Sequence, residues 1–413
     1  MSETITILGA GMVGISCARE LQQRGFDVTL IDRRGPGEET SSGNAGLLSY
    51  SNITPIASPA LLPRLHRLIL NRELDFRLHY PHLPRLLPWL VRFLARCNRQ
   101  TYLRDGEAMA AITFASIELH LRWIEECNAQ SLLLRNGGLK LYREQRSFDE
   151  DSLERELFDL CGVKYTLLER AQISDYEPDL NDIFAKAVFI DETPSVKNPQ
   201  KLCKAYAENF LQHGGRFVQK EVKHLDYREG SWQLHSDQGS ESLNKVVLCM
   251  GAWTGPMLKQ LSYANPMAIE RGYHSIFAAA EGRVLNRPIF DVDASHVIAP
   301  MDMGLRVSSG SNLVHGETDP DYRQINQVRS RLGEAFPMGA ELSAQPWMGR
   351  RPTLPDTLPM IGAAPRHKDL WLAFGHSHMG FTMGPISGHL IANDITGAAQ
   401  PFSIDPYRPQ RYI

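Results

Sequence analysis

The sequence lacks the clustered ligands of a metalloprotein. Its six cysteines (Cys17, Cys97, Cys127, Cys161, Cys203 and Cys249) are scattered, with no CxxC pair and no His/Cys group. No metal is expected, and the thiols read as reduced core residues of a cytoplasmic protein. No apolar run reaches the roughly 18 residues a spanning helix needs. Because Ile5 already opens an apolar strand, no room is expected for a signal peptide. Charge of one sign is also missing: 44 Lys and Arg against 47 Asp and Glu leave a net charge of −3, which argues against a nucleic-acid partner. Internal repeats and low-complexity stretches are absent as well.

What is there is a chain of 413 residues, 43% hydrophobic and 22% charged, which is long enough for two domains around a sizeable core. Its organising stretch is Gly9-Ala10-Gly11-Met12-Val13-Gly14. The apolar strand Ile5–Leu8 precedes it, and Val13–Arg24 follows with apolar residues at helical spacing. A second strand, Val28–Ile31, then ends on Asp32. Strand, glycine turn, helix, strand and acid in this order form the dinucleotide-binding fingerprint. Gly9 makes the tight turn, Gly11 admits a pyrophosphate to the backbone, and Gly14 lets the helix pack on the sheet. Met12 and Val13 open a helix whose unpaired N–H groups attract the pyrophosphate. Asp32 suits both hydroxyls of an unphosphorylated ribose, so FAD or NAD is expected.

After Asp32 and Arg33 the chain is rich in small and hydroxyl residues, including Thr40, Ser41, Ser42, Asn44, Ala45 and Gly46. Such a loop can lie against a flat ligand with its N–H and O–H groups turned inward. Following GAGMVG, the run ETSSGNAG resembles the amino-terminal signature of bacterial D-amino-acid dehydrogenases, within the FAD-dependent family of D-amino-acid oxidase and glycine oxidase. The resemblance implies that this loop meets the isoalloxazine and pyrophosphate of FAD, and that the backbone at Val222 meets the adenine. The strand Val246–Cys249 runs into Gly251 and Trp253, a second place for the cofactor to approach.

The carboxy-terminal part is similar to the family's GLRP…GH…GxT ending. It holds Gly349-Arg350-Arg351-Pro352, read as a turn, and the strand Leu370–Phe374. The loop Gly375-His376-Ser377-His378-Met379-Gly380-Phe381-Thr382 then enters the last helix near Pro385. A helix N-terminus beneath the ring system would favour a reduced, more negative flavin. Within this stretch the resemblance places Arg351 on the substrate carboxylate, a bidentate task that suits a guanidinium, and Tyr273 over the substrate pocket. His376 and His378 flank the flavin loop, to touch substrate or to brace. Where relatives such as glycine oxidase carry a second carboxylate-binding arginine, this chain has Met301; Arg271 or Arg306 are the substitutes at hand.

The implied fold class is α/β: a Rossmann-type, glutathione-reductase-like FAD-binding domain with an α+β substrate domain built on an antiparallel sheet. The expected division is 1–58, 197–255 and 337–413 for FAD, with 59–196 and 256–336 for substrate. Helices are expected at 108–130, 152–160, 199–213 and 322–336. An antiparallel meander is expected from 216–227, 232–235 and 246–249.

The implied chemistry is oxidation of D-amino acids, cyclic ones such as D-proline or D-hydroxyproline included. A hydride passes from the α-carbon to flavin N5, and water hydrolyses the imino acid to a 2-oxo acid. Electrons would go on to a quinone or the respiratory chain. Two alternatives stay open: a glycine- or sarcosine-type oxidase using dioxygen, and a flavin-binding subunit of a larger electron-transfer complex. FAD is expected without a covalent link, because no cysteine follows Cys249 and residues 33–65 contain no histidine, the positions that covalent relatives use. Residues 55–99 carry many arginines beside an apolar body, a pattern that can rest on an anionic membrane. The expected place is therefore the cytoplasm, peripheral to the inner face of the membrane if that segment docks.

Overall fold

The nucleotide half is built on strands that read as continuous apolar runs because helices cover both of their faces. A computed structural model describes residues 3–413. Six strands lie in the order Met360–Ala363, Leu370–Phe374, Lys245–Leu248, Thr4–Leu8, Asp27–Asp32 and Arg216–Gln219. All neighbours are parallel except the first pair. The helix Met12–Gln23 packs closely on the last helix, Gly384–Thr396. Gly388 makes that crossing possible, since a Cβ there would lie 2.5 Å from the backbone of Ser16.

The second half is a ten-stranded sheet. Its long strands Ala268–Ala279 and Gly304–Val314 are antiparallel partners, and Trp347–Thr353 pairs antiparallel with the first of them. Only Ile289–Asp291 against Gly138–Tyr142 and Gly304–Val314 against Phe76–Leu78 are parallel. A Rossmann-type half with an α+β half on an antiparallel sheet is therefore what the chain forms.

Several boundaries differ from the sequence expectation. Gly349-Arg350-Arg351-Pro352 is strand, not turn, and with Met338–Glu341 it joins the ten-stranded sheet rather than the nucleotide sheet. The long helix runs Arg99–Glu126, because Asn98 caps it by accepting from the Thr101 N–H at 3.0 Å. It belongs with the nucleotide core, where Ser116 Oγ donates to the Thr382 carbonyl at 2.6 Å. Thr254–Gln260 also packs there, through Met257 and Leu258.

The stretch 216–227 breaks in two: Arg216–Gln219 closes the nucleotide sheet and Val222–Arg228 begins the meander. Gly239–Leu243 is the meander's third strand. Lys245–Leu248, apolar on both faces, is drawn instead into the middle of the parallel sheet. The expected helix 322–336 forms only as Arg323–Arg329 and Leu332–Ala335, with Arg331 at φ −118°, ψ 2° between them.

Candidate functional site

A cavity of about 690 Å³ runs from the glycine turn to the face of the substrate sheet. At its nucleotide end the backbone at Gly9 adopts φ +105°, and a Cβ there would lie 2.4 Å from the Cys249 carbonyl oxygen. Gly14 plays its expected packing part, since its Cβ would collide with the Gly9 carbonyl. Asp32 Oδ2 accepts from the Ala10 N–H at 2.7 Å and Oδ1 from the Arg34 N–H at 2.9 Å. Burial pushes its carboxyl above the usual range, with those two N–H groups opposing. Arg33 donates to Glu39 at 2.6 Å and lies 4.3 Å over the Trp253 ring.

These features fit a dinucleotide. A tight glycine turn, a helix N-terminus and an acid line the same wall, and the cavity is within the usual size range for cofactor sites. Gly9, Gly11, Met12, Val13, Asp32, Arg33, Thr40, Ser41, Asn44, Ala45, Val222, Gly251 and Trp253 line it, as do His378, Met379, Gly380, Phe381 and Thr382. Gly14, Ser42, Gly46 and Gly375 do not, and act from behind. Gly46, at φ +75°, and Gly375, at φ +82°, have no room for a Cβ against Val196 and Leu354. Ser42 Oγ donates to the Glu39 carbonyl at 2.8 Å and helps close the short turn of the loop.

The two loop histidines both border the cavity but differ in exposure. His376 is 3% exposed, with Nε2 2.8 Å from Ser387 Oγ, and burial lowers its pKa to about 3. It is a neutral brace between loop and helix. His378 opens onto the cavity. Burial lowers its pKa, Glu270 opposes this, and Arg351 adds to it.

Arg351 lines the cavity on the substrate sheet. Its Nη1 donates to Glu270 Oε1 at 3.2 Å and to Ser311 Oγ at 3.1 Å. Three other expected substrate residues are not brought to it. Tyr273 is 1% exposed, and its hydroxyl accepts from the Asp321 N–H at 2.9 Å. Arg271 donates to the carbonyls of Thr318 and Asp319, at 2.9 and 2.6 Å. Both therefore turn toward the segment 318–322 rather than the cavity. Met301 is buried at the hairpin end, paired with Gly304, and does not line the cavity either.

Sequence reasoning missed two supports. Arg306, considered only as a substitute anchor, donates to the carbonyls of Ser42 and Asn44 and so ties the loop 40–46 to the strand Gly304–Val314. Burial lowers its pKa to about 10. The signal was its place between Leu305 and Val307, which are buried on the opposite face. Trp347 stacks on His274, ring centroids 4.7 Å apart, and fills the space left by Gly43 and Gly349.

The likeness to known proteins spans the chain. The D-amino-acid oxidase of Bradyrhizobium diazoefficiens is 28% identical over 99% of both chains. The D-amino acid dehydrogenase of Vibrio atlanticus is 27% identical over 99% of this chain and 100% of its own. The glycine oxidase structure from Geobacillus kaustophilus superposes with a TM-score of 0.78 over 100% of both chains, at 19% identity. The family model for FAD dependent oxidoreductases (DAO) matches residues 4–393. Glycine turn, ribose acid, flavin loop and whole-chain match agree: this protein belongs to the FAD-dependent oxidoreductase family, and its cofactor is FAD.

Proposed function

We propose that the protein is a D-amino-acid dehydrogenase, cyclic D-amino acids included, that holds its substrate through Arg351. The observation that carries this reading is a guanidinium on the cavity wall of the substrate sheet, in a cavity shared with the flavin loop. A fork of N–H donors binds a carboxylate in one orientation and so fixes the α-carbon. The bound FAD supplies the hydride acceptor. The chain itself binds, orients and encloses, and His376 keeps the loop in place. The names of the relatives support the D-stereochemistry. Anaerobic bleaching of the flavin across a panel of D- and L-amino acids, D-proline and glycine among them, tests the reading. Fastest bleaching by glycine or sarcosine moves it to the oxidase alternative, and bleaching by none favours an electron-transfer subunit.

FAD is held without a covalent bond in this reading. Cys249, the one cysteine on the cavity wall, lies under the glycine turn with its Sγ 3.7 Å from Cys17. Acid precipitation is therefore expected to leave the yellow colour in the supernatant. Colour that stays with the polypeptide overturns this.

The acceptor proposed is a membrane quinone or respiratory-chain component, reached by peripheral docking. No helix among the described residues is long and apolar enough to cross a membrane. The helices Leu61–Ile69 and Leu83–Leu94 nevertheless leave large apolar side chains in water, with Leu62 48%, Leu87 55% and Val91 59% exposed. Arg72, Arg85 and Arg92 are exposed nearby and have no ion-pair partner among the described residues. Apolar tips beside free arginines suit an anionic bilayer, at about 1 kcal/mol per basic residue. Binding to phosphatidylserine vesicles is expected to fall with salt and with Arg72→Glu/Arg85→Glu/Arg92→Glu. Equal partitioning to neutral vesicles removes the electrostatic part, and no binding to either removes the docking.

A further inference from the structure

Arg351 reaches the cavity already held by its own sheet. Glu270 pairs with it in register across the strands Ala268–Ala279 and Trp347–Thr353, and is 6% exposed. The carboxylate is itself fully engaged. Oε1 accepts from Arg351 and from the Ser311 hydroxyl, and Oε2 accepts from Thr353 Oγ1 at 3.1 Å. Burial pushes the Glu270 carboxyl up, but Arg351, His378 and the two hydroxyls outweigh it and hold it ionised, below the usual range.

A guanidinium has five N–H donors: one on Nε and two on each terminal nitrogen. Glu270 and Ser311 account for both on Nη1. A Cβ placed at Gly272 would lie 2.2 Å from Nη2, 2.4 Å from Cζ and 2.9 Å from Nη1, so the guanidinium occupies space that only glycine leaves open.

We infer that Glu270 and Gly272 are positioning residues, which hold Arg351 so that its Nε–Nη2 edge, rather than its Nη1–Nη2 end, meets the substrate carboxylate. The inference rests on Arg351 being the carboxylate anchor. It adds that the approach is side-on, and that Glu270 shapes specificity without touching substrate. Holding the fork in advance lowers the ordering cost of binding, while removal of the Glu270 charge lets the guanidinium turn.

The test uses the FAD-loaded enzyme and the D-amino acid that bleaches it fastest. Glu270→Gln keeps the shape and removes the charge; Gly272→Ala keeps every polar group and removes the space. Each is expected to raise KM roughly tenfold to a hundredfold, the range for a lost charge-assisted hydrogen bond, with FAD content at the parental level. Glu270→Asp restores part of the loss. In an Arg351→Ala background, Glu270→Gln is expected to add little, because residues acting through one another are not additive. Parental KM in both single variants overturns the inference. So does an equal penalty for Glu270→Gln with and without Arg351, which places its action elsewhere. If Arg351→Ala itself leaves kcat/KM unchanged, the anchor reading fails instead, and the two failures are distinct.

Discussion

Replacement of Arg351 by alanine is expected to lower kcat/KM by roughly 30-fold to several-thousand-fold, equal to about 2–5 kcal/mol of lost transition-state binding, while FAD stays bound. The magnitude is that of truncating one partner of a buried charged pair, and the structure gives a reason for the upper part of the range. No second arginine can stand in, because Arg271 is committed to the carbonyls of Thr318 and Asp319 and Arg306 to those of Ser42 and Asn44. Glu270 is also left behind as a buried carboxylate without its cation, which repels an incoming carboxylate. Arg351→Lys should recover only part of the activity, since a point charge cannot form the fork.

Arg350 is the control. It donates to Glu317 at 2.5 Å and sits 5.4 Å over the Trp253 ring, on the cofactor side of the cavity. Arg350→Ala should leave substrate kinetics near parental and loosen FAD modestly. Comparison of flavin content and reduction rate across the three variants decides the matter. If Arg350→Ala loses activity and Arg351→Ala keeps it, the anchor is one residue earlier; if both keep it, the carboxylate is bound elsewhere.

The parts of this site that were legible in the sequence are those set by neighbours in the chain. Gly9 to Asp32 is one strand–turn–helix–strand unit, so glycine spacing alone fixes which backbone faces the cofactor. The loop from Gly375 to Thr382 is likewise local. Tyr273 and Arg271 were not legible, because alternation along a strand says that the two share one face and Glu270 and Gly272 the other, but not which face meets the cavity. The structure turns Gly272 to the cavity and Arg271 and Tyr273 to the segment 318–322. Arg306 and Glu270 were illegible for another reason. Their partners, Ser42 and Arg351, are remote in sequence, and only sheet pairing brings them together.

The glycines of the turn should separate fold from cofactor in three steps. Gly9→Ala is expected to damage both. Its φ of +105° is one that alanine tolerates poorly, and its Cβ would strike the backbone of Cys249 at 2.4 Å. Such strain costs about 1–3 kcal/mol, and overpacking against an immobile strand about 1–3 kcal/mol more. The end of Lys245–Leu248 must also shift in the wall of the cavity. Colourless protein with a melting point below that of FAD-stripped wild type is the expected result. Gly25→Ala shares the strain without the collision, at φ +86° and with nothing within 4 Å; it should lose a little stability and keep all its FAD. Gly11→Ala is the discriminating case. Its Cβ meets only Ser41 Oγ, at 3.3 Å, so the stripped protein should melt with wild-type apoprotein. The methyl group would nevertheless stand where a pyrophosphate approaches the helix N-terminus, between Gly11 and Ser41. FAD affinity should fall, and with it the stabilisation that a ligand confers only on the folded state. Flavin titration and thermal melting of the three variants, each with and without added FAD, provide the comparison. Wild-type FAD affinity in Gly11→Ala would mean that the pyrophosphate does not cross the turn at this glycine.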